Sequence, residues 1–144
     1  MRILVTGGAG FIGSNFVHYA LNEHEDDEIV TLDALTYAGS HENLDGVLDN
    51  PRHQFVEGNI RDEELVADLV EDVDAIVNFA AESHVDRSIE GAKPFVTTNV
   101  QGTQTLLDAA KDADIDRFLQ VSTDEVYGQI MDGKFSETDR LNPR

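Results

Sequence analysis

Apolar and polar positions along this chain follow two alternating rhythms. Short apolar, β-branched runs at 2–6 (RILVT), 28–33 (EIVTLD), 53–59 (HQFVEGN), 74–81 (DAIVNFAA) and 117–123 (RFLQVST) read as five strands. Between them, apolar residues 12, 16, 17, 20 and 21 mark an amphipathic helix over 11–23. A second helix is expected over 62–72, with acids in its first turn, and a long third one over 93–113, with Pro94 near its start. Residues 37–52 carry turn residues throughout and read as a loop with one helical turn. The tail after Gly128 reads as a turn around MDGK and irregular chain. Strand 4 is nearly all apolar, which predicts cover on both faces, and RFLQV also reads as buried. Strands that alternate with helices imply right-handed βαβ units. The expected fold is therefore α/β: a Rossmann-type doubly wound parallel sheet, order 3-2-1-4-5, with helices on both faces.

Between strand 1 and the first helix lies TGGAGFIG. Gly8, Gly10 and Gly13 make G-x-G-x-x-G, and Gly7, Gly10 and Gly13 make G-x-x-G-x-x-G. After a strand and before a helix, such a turn lets backbone approach a pyrophosphate and aims free helical N–H groups at the anion. Asp33 closes strand 2 twenty residues beyond Gly13, where a carboxylate can hold a ribose 2′-hydroxyl. The alternative is a structural turn with a surface acid. A carboxylate there repels the 2′-phosphate of NADP, and TLDALTYAG contains no arginine, so NAD is the expected cofactor.

Ligands of such sheets bind beyond the carboxyl ends of the strands, at the switch point. Strand 4 exits there into AAESHVDRS and strand 5 into STDEVYG. Adjacent Asp124 and Glu125 cannot both ionise easily, so one can serve as an acid and the other as a base. The competing reading has Asp124 capping a short helix and Glu125 in solvent. His84 reads as a base, a phosphate contact or a structural residue, and Ser83 as a hydroxyl contact or a turn cap. Histidines 18, 24, 41 and 53 are expected on surfaces, without metal-ligand spacing, so no metal site is expected.

Composition narrows the picture further. The chain has 144 residues, 40% of them hydrophobic, which is enough for one domain with a core. It has no cysteine, hence no disulfide or thiolate site, and no apolar run near the roughly 20 residues of a membrane helix. The N-terminus lacks the long apolar stretch of a secretory signal, and the expected compartment is the cytoplasm. Charge is the unusual feature: 29 Asp and Glu against 10 Lys and Arg, a net −19. That balance argues against nucleic-acid or anionic-membrane partners. The acids recur in NEHEDDE, RDEELVADLVEDVD and DAAKDADID, interleaved with apolar positions, and read as solvated faces of a folded domain.

TGGAGFIG, LDALTYAG, AAESHVDRSI, TNVQGT and STDEVYG occur in that order between Met1 and about Gly128. Together they resemble the extended short-chain dehydrogenase/reductase superfamily, and within it the dTDP-glucose 4,6-dehydratases. The resemblance implies that Gly7, Gly10, Phe11, Ile12 and Gly13 lie over a pyrophosphate. It implies that Asp33, Ala34, Leu35 and Thr36 surround the adenosine ribose, and that Asn59 and Ile60 meet the adenine. Phe79, Ala80, Ala81, Glu82 and Ser83, with Thr98, would line the nicotinamide side. Ser83 and Thr123 would bind glucosyl hydroxyls of a nucleotide-sugar substrate such as dTDP-glucose. Asp124 would be the general acid and Glu125 the general base. In the implied chemistry the sugar is oxidised at C4, Glu125 takes the C5 proton, Asp124 protonates the departing C6 hydroxyl, and hydride returns to C6.

Two departures qualify the match. Asn59-Ile60 stands where the family usually has Asp-Ile. The family's Tyr-x-x-x-Lys pair does not occur before Arg144, and Tyr127 is followed by GQIM. The chain is therefore expected to be the NAD-binding Rossmann domain, 1–144, without that segment or the substrate domain, and unable to turn over alone. The full-length form is expected to dimerise, partly through helix 93–113. A related epimerase or dehydratase, or a non-catalytic NAD-binding module, are the alternatives.

Dense acidic faces repel one another less when salt screens them. The melting temperature is expected to rise between dilute buffer and molar KCl. A flat or falling trend in a thermal scan would count against adaptation to high salt.

Overall fold

The structure, a computed structural model, describes residues 1–84 and 91–143. Five parallel strands form one sheet: β1 (Arg2–Thr6), β2 (Glu28–Asp33), β3 (His53–Glu57), β4 (Ala75–Asn78) and β5 (Arg117–Gln120). Their order is β3-β2-β1-β4-β5, as the βαβ pattern predicts. The helices are α1 (Phe11–Glu23), α2 (Glu63–Val70) and a composite α3. The last is α-helical over Lys93–Phe95, π-helical over Val96–Gly102 and α-helical again over Thr103–Asp112. One 3-10 turn, His41–Leu44, interrupts the loop after β2, and another, Asp124–Tyr127, follows β5.

Side-chain alternation divides the core into two layers. Ile3 and Val5 of β1, Ile29 of β2 and Ala75 and Val77 of β4 pack with Val17, Ala20 and Leu21 of α1 and with Leu44 and Val47. Leu4, Val30, Leu32 and Ile76 point the other way, toward Val66 and Val70 of α2 and Leu106 and Ala110 of α3. All four residues of β4 are buried, as expected of a central strand. The acids of the 22–28, 61–74 and 112–116 stretches stay at the surface, exposed but for a half-buried Asp27, while Val66, Val70 and Val73 between them are buried. Asp62 caps α2 by accepting the Leu65 N–H at 3.2 Å. The Arg52 guanidinium caps the other end of α1, donating to the carbonyls of Leu21, His24 and Asp27 at 2.6, 3.0 and 2.8 Å.

Three expectations need correction. The apolar runs of strands 3, 4 and 5 extend past the hydrogen-bonded strands, which stop at Glu57, Asn78 and Gln120, because the chain there leaves the sheet to wall a cleft. RFLQV is not buried. β5 pairs only with β4 among the described residues, and Leu119 is 57% exposed on the α1 side of the sheet, where α1 does not reach. His53 is not a surface residue. It is 8% exposed, with Nε2 at 2.9 Å from Thr31 Oγ1 and Nδ1 donating to the Val47 carbonyl at 3.0 Å. The β3 start is covered by the 41–50 loop, and that cover is not visible in local sequence.

Burial pushes the His53 pKa below the ordinary 6.5, partly opposed by the Val47 carbonyl, with the nearby His18 adding to the depression. The unfolded chain therefore binds more protons than the folded one just below pH 6.5. This contribution to stability is full above the unfolded value and falls as pH drops from about 6.5 toward the folded value. Urea midpoints taken between about pH 7.5 and 5.5 should fall less steeply in His53→Gln than in the parent chain. Equal slopes would mean that His53 takes up its proton freely in the fold.

Candidate functional site

The site is built at the carboxyl end of β1. Gly7 follows Thr6 with φ +68°, and a Cβ there would stand 2.6 Å from the Ala80 nitrogen, so only glycine fits between β1 and the β4 exit. A Cβ on Gly13 would collide with the Gly7 carbonyl oxygen, which shows how closely α1 sits on the turn. The N-cap of α1 is Gly10, with no side chain to offer, so the N–H groups of the first helical turn remain available to an anion.

Asp33 ties this turn to β2. Its Oδ2 accepts the Ala9 N–H at 2.9 Å and its Oδ1 the Leu35 N–H at 2.9 Å. It is 9% exposed and is the one buried carboxylate among the described residues. The Ala9 carbonyl is held as well, by the Ser40 N–H at 3.1 Å and the Asn43 amide at 2.7 Å. A second polar set closes the floor on the β4 side. Thr6 Oγ1 donates to Asn78 Oδ1, and Asn78 Nδ2 to Gln120 Oε1 at 2.8 Å, across β1, β4 and β5. Asn78 Oδ1 also accepts the Ala80 N–H at 3.1 Å, which starts the chain on its way out of the sheet. Farther along, Asn99 in the π-helical part of α3 accepts the Glu82 N–H at 2.8 Å and donates to the Glu82 carbonyl at 2.9 Å.

These ties leave a cleft of about 420 Å³ over the strand ends. The turn contributes Gly7, Gly10, Phe11, Ile12 and Gly13; the β2 exit contributes Asp33, Ala34 and Thr36; the β3 exit contributes Asn59 and Ile60. Phe79, Ala80, Ala81, Glu82 and Ser83 line it after β4, with Thr98 from α3 and Thr123 after β5. All of these were singled out from the sequence. Leu35 was too, but it does not line the cleft: its N–H serves Asp33 and its side chain packs on the α1 layer of the core. Leu32, Ala38, Gly39, Gly58, Val121 and Ser122 line it and were missed. Ala38 and Gly39 belong to LDALTYAG and Gly58 to HQFVEGN, whereas Val121 and Ser122 belong to RFLQVST, whose apolar pattern reads as strand.

At the β5 exit, Thr123 rather than Asp124 caps the short helix, its Oγ1 accepting the Glu125 N–H at 3.1 Å. Glu125 is exposed and stands outside the cleft lining. The Asp124 side chain and residues 85–90, which include the end of the AAESHVDRS run, lie outside what the structure describes. The His84 ring lies edge-on to Tyr37, centroids 6.4 Å apart. Among the described residues no group of three or more His, Cys, Asp or Glu could hold a metal ion. No helix among them is long and apolar enough to cross a membrane.

Comparison with known proteins places this geometry. The sequence profile described as GDP-mannose 4,6 dehydratase matches residues 4–144. The chain belongs to that family. The low-salt glycan biosynthesis protein Agl12 of Haloferax volcanii is 76% identical over 144 residues, covering all of this chain and 46% of that protein. The dTDP-glucose 4,6-dehydratase of Mycobacterium tuberculosis is 53% identical over 146 residues, covering 99% of this chain and 43% of the enzyme. A crystal structure of DesIV, the dTDP-glucose 4,6-dehydratase of Streptomyces venezuelae, with NAD and TYD bound, superposes with a TM-score of 0.93 at 57% identity. It is matched over 99% of this chain and 46% of its own. The chain thus spans a little under half the length of the relatives it matches.

The contact between α1 and the turn gives a direct test. Gly13→Ala is expected to destabilise the chain by about 1–3 kcal/mol, because the new methyl group meets backbone that cannot swing aside. An unchanged urea midpoint would mean that α1 does not press on Gly7.

Proposed function

We propose that this chain is the NAD-binding half of a 4,6-dehydratase acting on a nucleotide-activated glucose, with dTDP-glucose as the substrate. The observation that carries the proposal is the cleft itself, where the glycine turn, the buried Asp33 and Thr123 meet at the switch point. Its residues fit a dinucleotide. Gly7, Gly10 and Gly13 put no side chain in the way of a pyrophosphate, the first N–H groups of α1 can hold it, and the Asp33 oxygens keep lone pairs for ribose hydroxyls. The relatives support the choice: the DesIV structure has NAD bound, as does the dTDP-glucose 4,6-dehydratase of Bacillus anthracis, 48% identical with a TM-score of 0.89.

Bound there, NAD would supply reversible hydride transfer, taking hydride from the sugar and returning it. Gly7, Gly10, Phe11, Ile12 and Gly13 would hold its pyrophosphate, Asp33 to Thr36 the adenosine ribose, and Asn59 and Ile60 the adenine. Residues 79–83 and Thr98 would flank the nicotinamide. Ser83 and Thr123 would orient the glucosyl hydroxyls. Glu125 would take the proton next to the ketone, and Asp124 would protonate the departing hydroxyl; two adjacent carboxylates in opposite protonation states suit that elimination. Glu125 is exposed and outside the cleft lining here, so the role requires substrate to extend past the lining toward it.

A homodimeric longer form is part of the same reading, supported by the exposed Val96, Val100 and Leu107 on α3. So is a cytoplasmic enzyme adapted to high salt, supported by the net charge and by the halophilic source of the 76% identical relative.

Calorimetry on this chain in molar KCl provides the test. NAD is expected to bind at least about tenfold more tightly than NADP, since a 2′-phosphate would approach the buried Asp33 carboxylate. Equal affinities, or no binding by a chain shown to be folded, would overturn the cofactor assignment.

A further inference from the structure

In the sheet, β2 and β4 flank β1. The loops leaving their carboxyl ends therefore stand on either side of the glycine turn. Tyr37 lies four residues beyond the end of β2, and Glu82 four residues beyond the end of β4. The Tyr37 hydroxyl donates to Glu82 Oε2 at 3.1 Å, which joins the two loops. Thr36 and Ala38 on one side and Ala81, Glu82 and Ser83 on the other line the cleft, so the bond ties together the two loops that wall it. A carboxylate acceptor makes it stronger than a bond between neutral groups.

Glu82 is also fixed from behind. The two hydrogen bonds to the Asn99 amide leave its backbone little freedom to carry the carboxylate away from Tyr37. Asn99 belongs to the π-helical stretch of α3, a local widening of the kind often found at functional sites. On the opposite side the His84 ring backs the Tyr37 ring.

We propose that the Tyr37–Glu82 hydrogen bond is a gate across the dinucleotide cleft, with Asn99 as the positioning residue that holds Glu82 in the gate. The proposal rests on the cofactor reading above. The bridge joins two groups of the chain itself, so it contributes alike to the free and the bound protein. Such a bond slows entry and exit by the same factor and leaves the equilibrium unchanged. That suits a cofactor that is regenerated within each turnover and has no need to leave.

Stopped-flow binding of NADH to this chain in molar KCl tests the gate. Tyr37→Phe is expected to raise the association and dissociation rates together by about fivefold, the worth of one hydrogen bond, with the dissociation constant held within about twofold. Asn99→Ala should accelerate both rates to a smaller extent. In the double variant Tyr37→Phe/Glu82→Ala, dissociation should be no faster than in the faster of the two single variants, whereas unlinked residues multiply their effects. A weaker dissociation constant with an unchanged association rate would make Tyr37 a direct ligand contact and overturn the gate. Multiplying effects would overturn it too. If the parent chain captures no NADH, the cofactor reading falls and takes the gate with it. Capture at rates that Tyr37→Phe does not move defeats the gate alone.

Discussion

One buried carboxylate holds the functional end of this molecule together. Asp33 sits at the last position of β2, out of water, where an ionised group is costly unless hydrogen-bonded. Two backbone N–H groups provide that satisfaction, one from the turn after β1 and one from its own loop. The consequence is mutual. The carboxylate tolerates burial because the turn is in place, and the turn is in place because the carboxylate holds Ala9. A side chain expected to meet a ribose is therefore also the anchor of the turn expected to meet the pyrophosphate. Replacing it would remove both at once, which is why the choice between NAD and NADP is a cleaner probe of its charge than its deletion.

The same economy of polar groups recurs along the sheet's carboxyl edge. Thr6, Asn78 and Gln120 satisfy one another across three strands, and Asn78 also receives the first N–H of the departing chain. These side chains sit at the last residues of β1, β4 and β5, beside the final backbone bonds between the strands. Beyond the strand ends side chains add to the backbone bonds that hold the loops: Asn43 joins the Ser40 N–H on the Ala9 carbonyl, and Asn99 holds Glu82. The cleft is thus walled by loops with defined partners, which suits a site that must present N–H groups and hydroxyls in fixed directions.

Charge and apolar exposure describe the rest of the surface. Nearly all the acidity lies outside on the solvated sides of α2 and the loops, while Arg52 spends its charge on the carbonyls that end α1. β5 is the weakest part of the sheet. It pairs on one side among the described residues, and Leu119 faces outward over an area α1 does not cover.

The strand and helix order, the sheet order and the glycine turn were legible because each rests on local chemistry. β-branched runs, 3.6-residue spacing and glycine at positions that admit no Cβ do not depend on distant partners. Much of the cleft lining was expected too, but through the family resemblance rather than from local chemistry, and Leu32, Ala38, Gly39, Gly58, Val121 and Ser122 were not among the residues it implied. The remaining features depend on partners remote in sequence. His53 became buried because the 41–50 loop folds over it, and Leu119 became exposed because no helix among the described residues covers it. Val121 and Ser122 became wall rather than strand because the chain turns away from β4 after the Val121 N–H bonds the Asn78 carbonyl. Thr123, in place of Asp124, became the cap, its hydroxyl oxygen accepting the Glu125 N–H. Sequence determined which segments could reach the switch point; long-range hydrogen bonds and burial, which no local pattern encodes, decided which side chains face it.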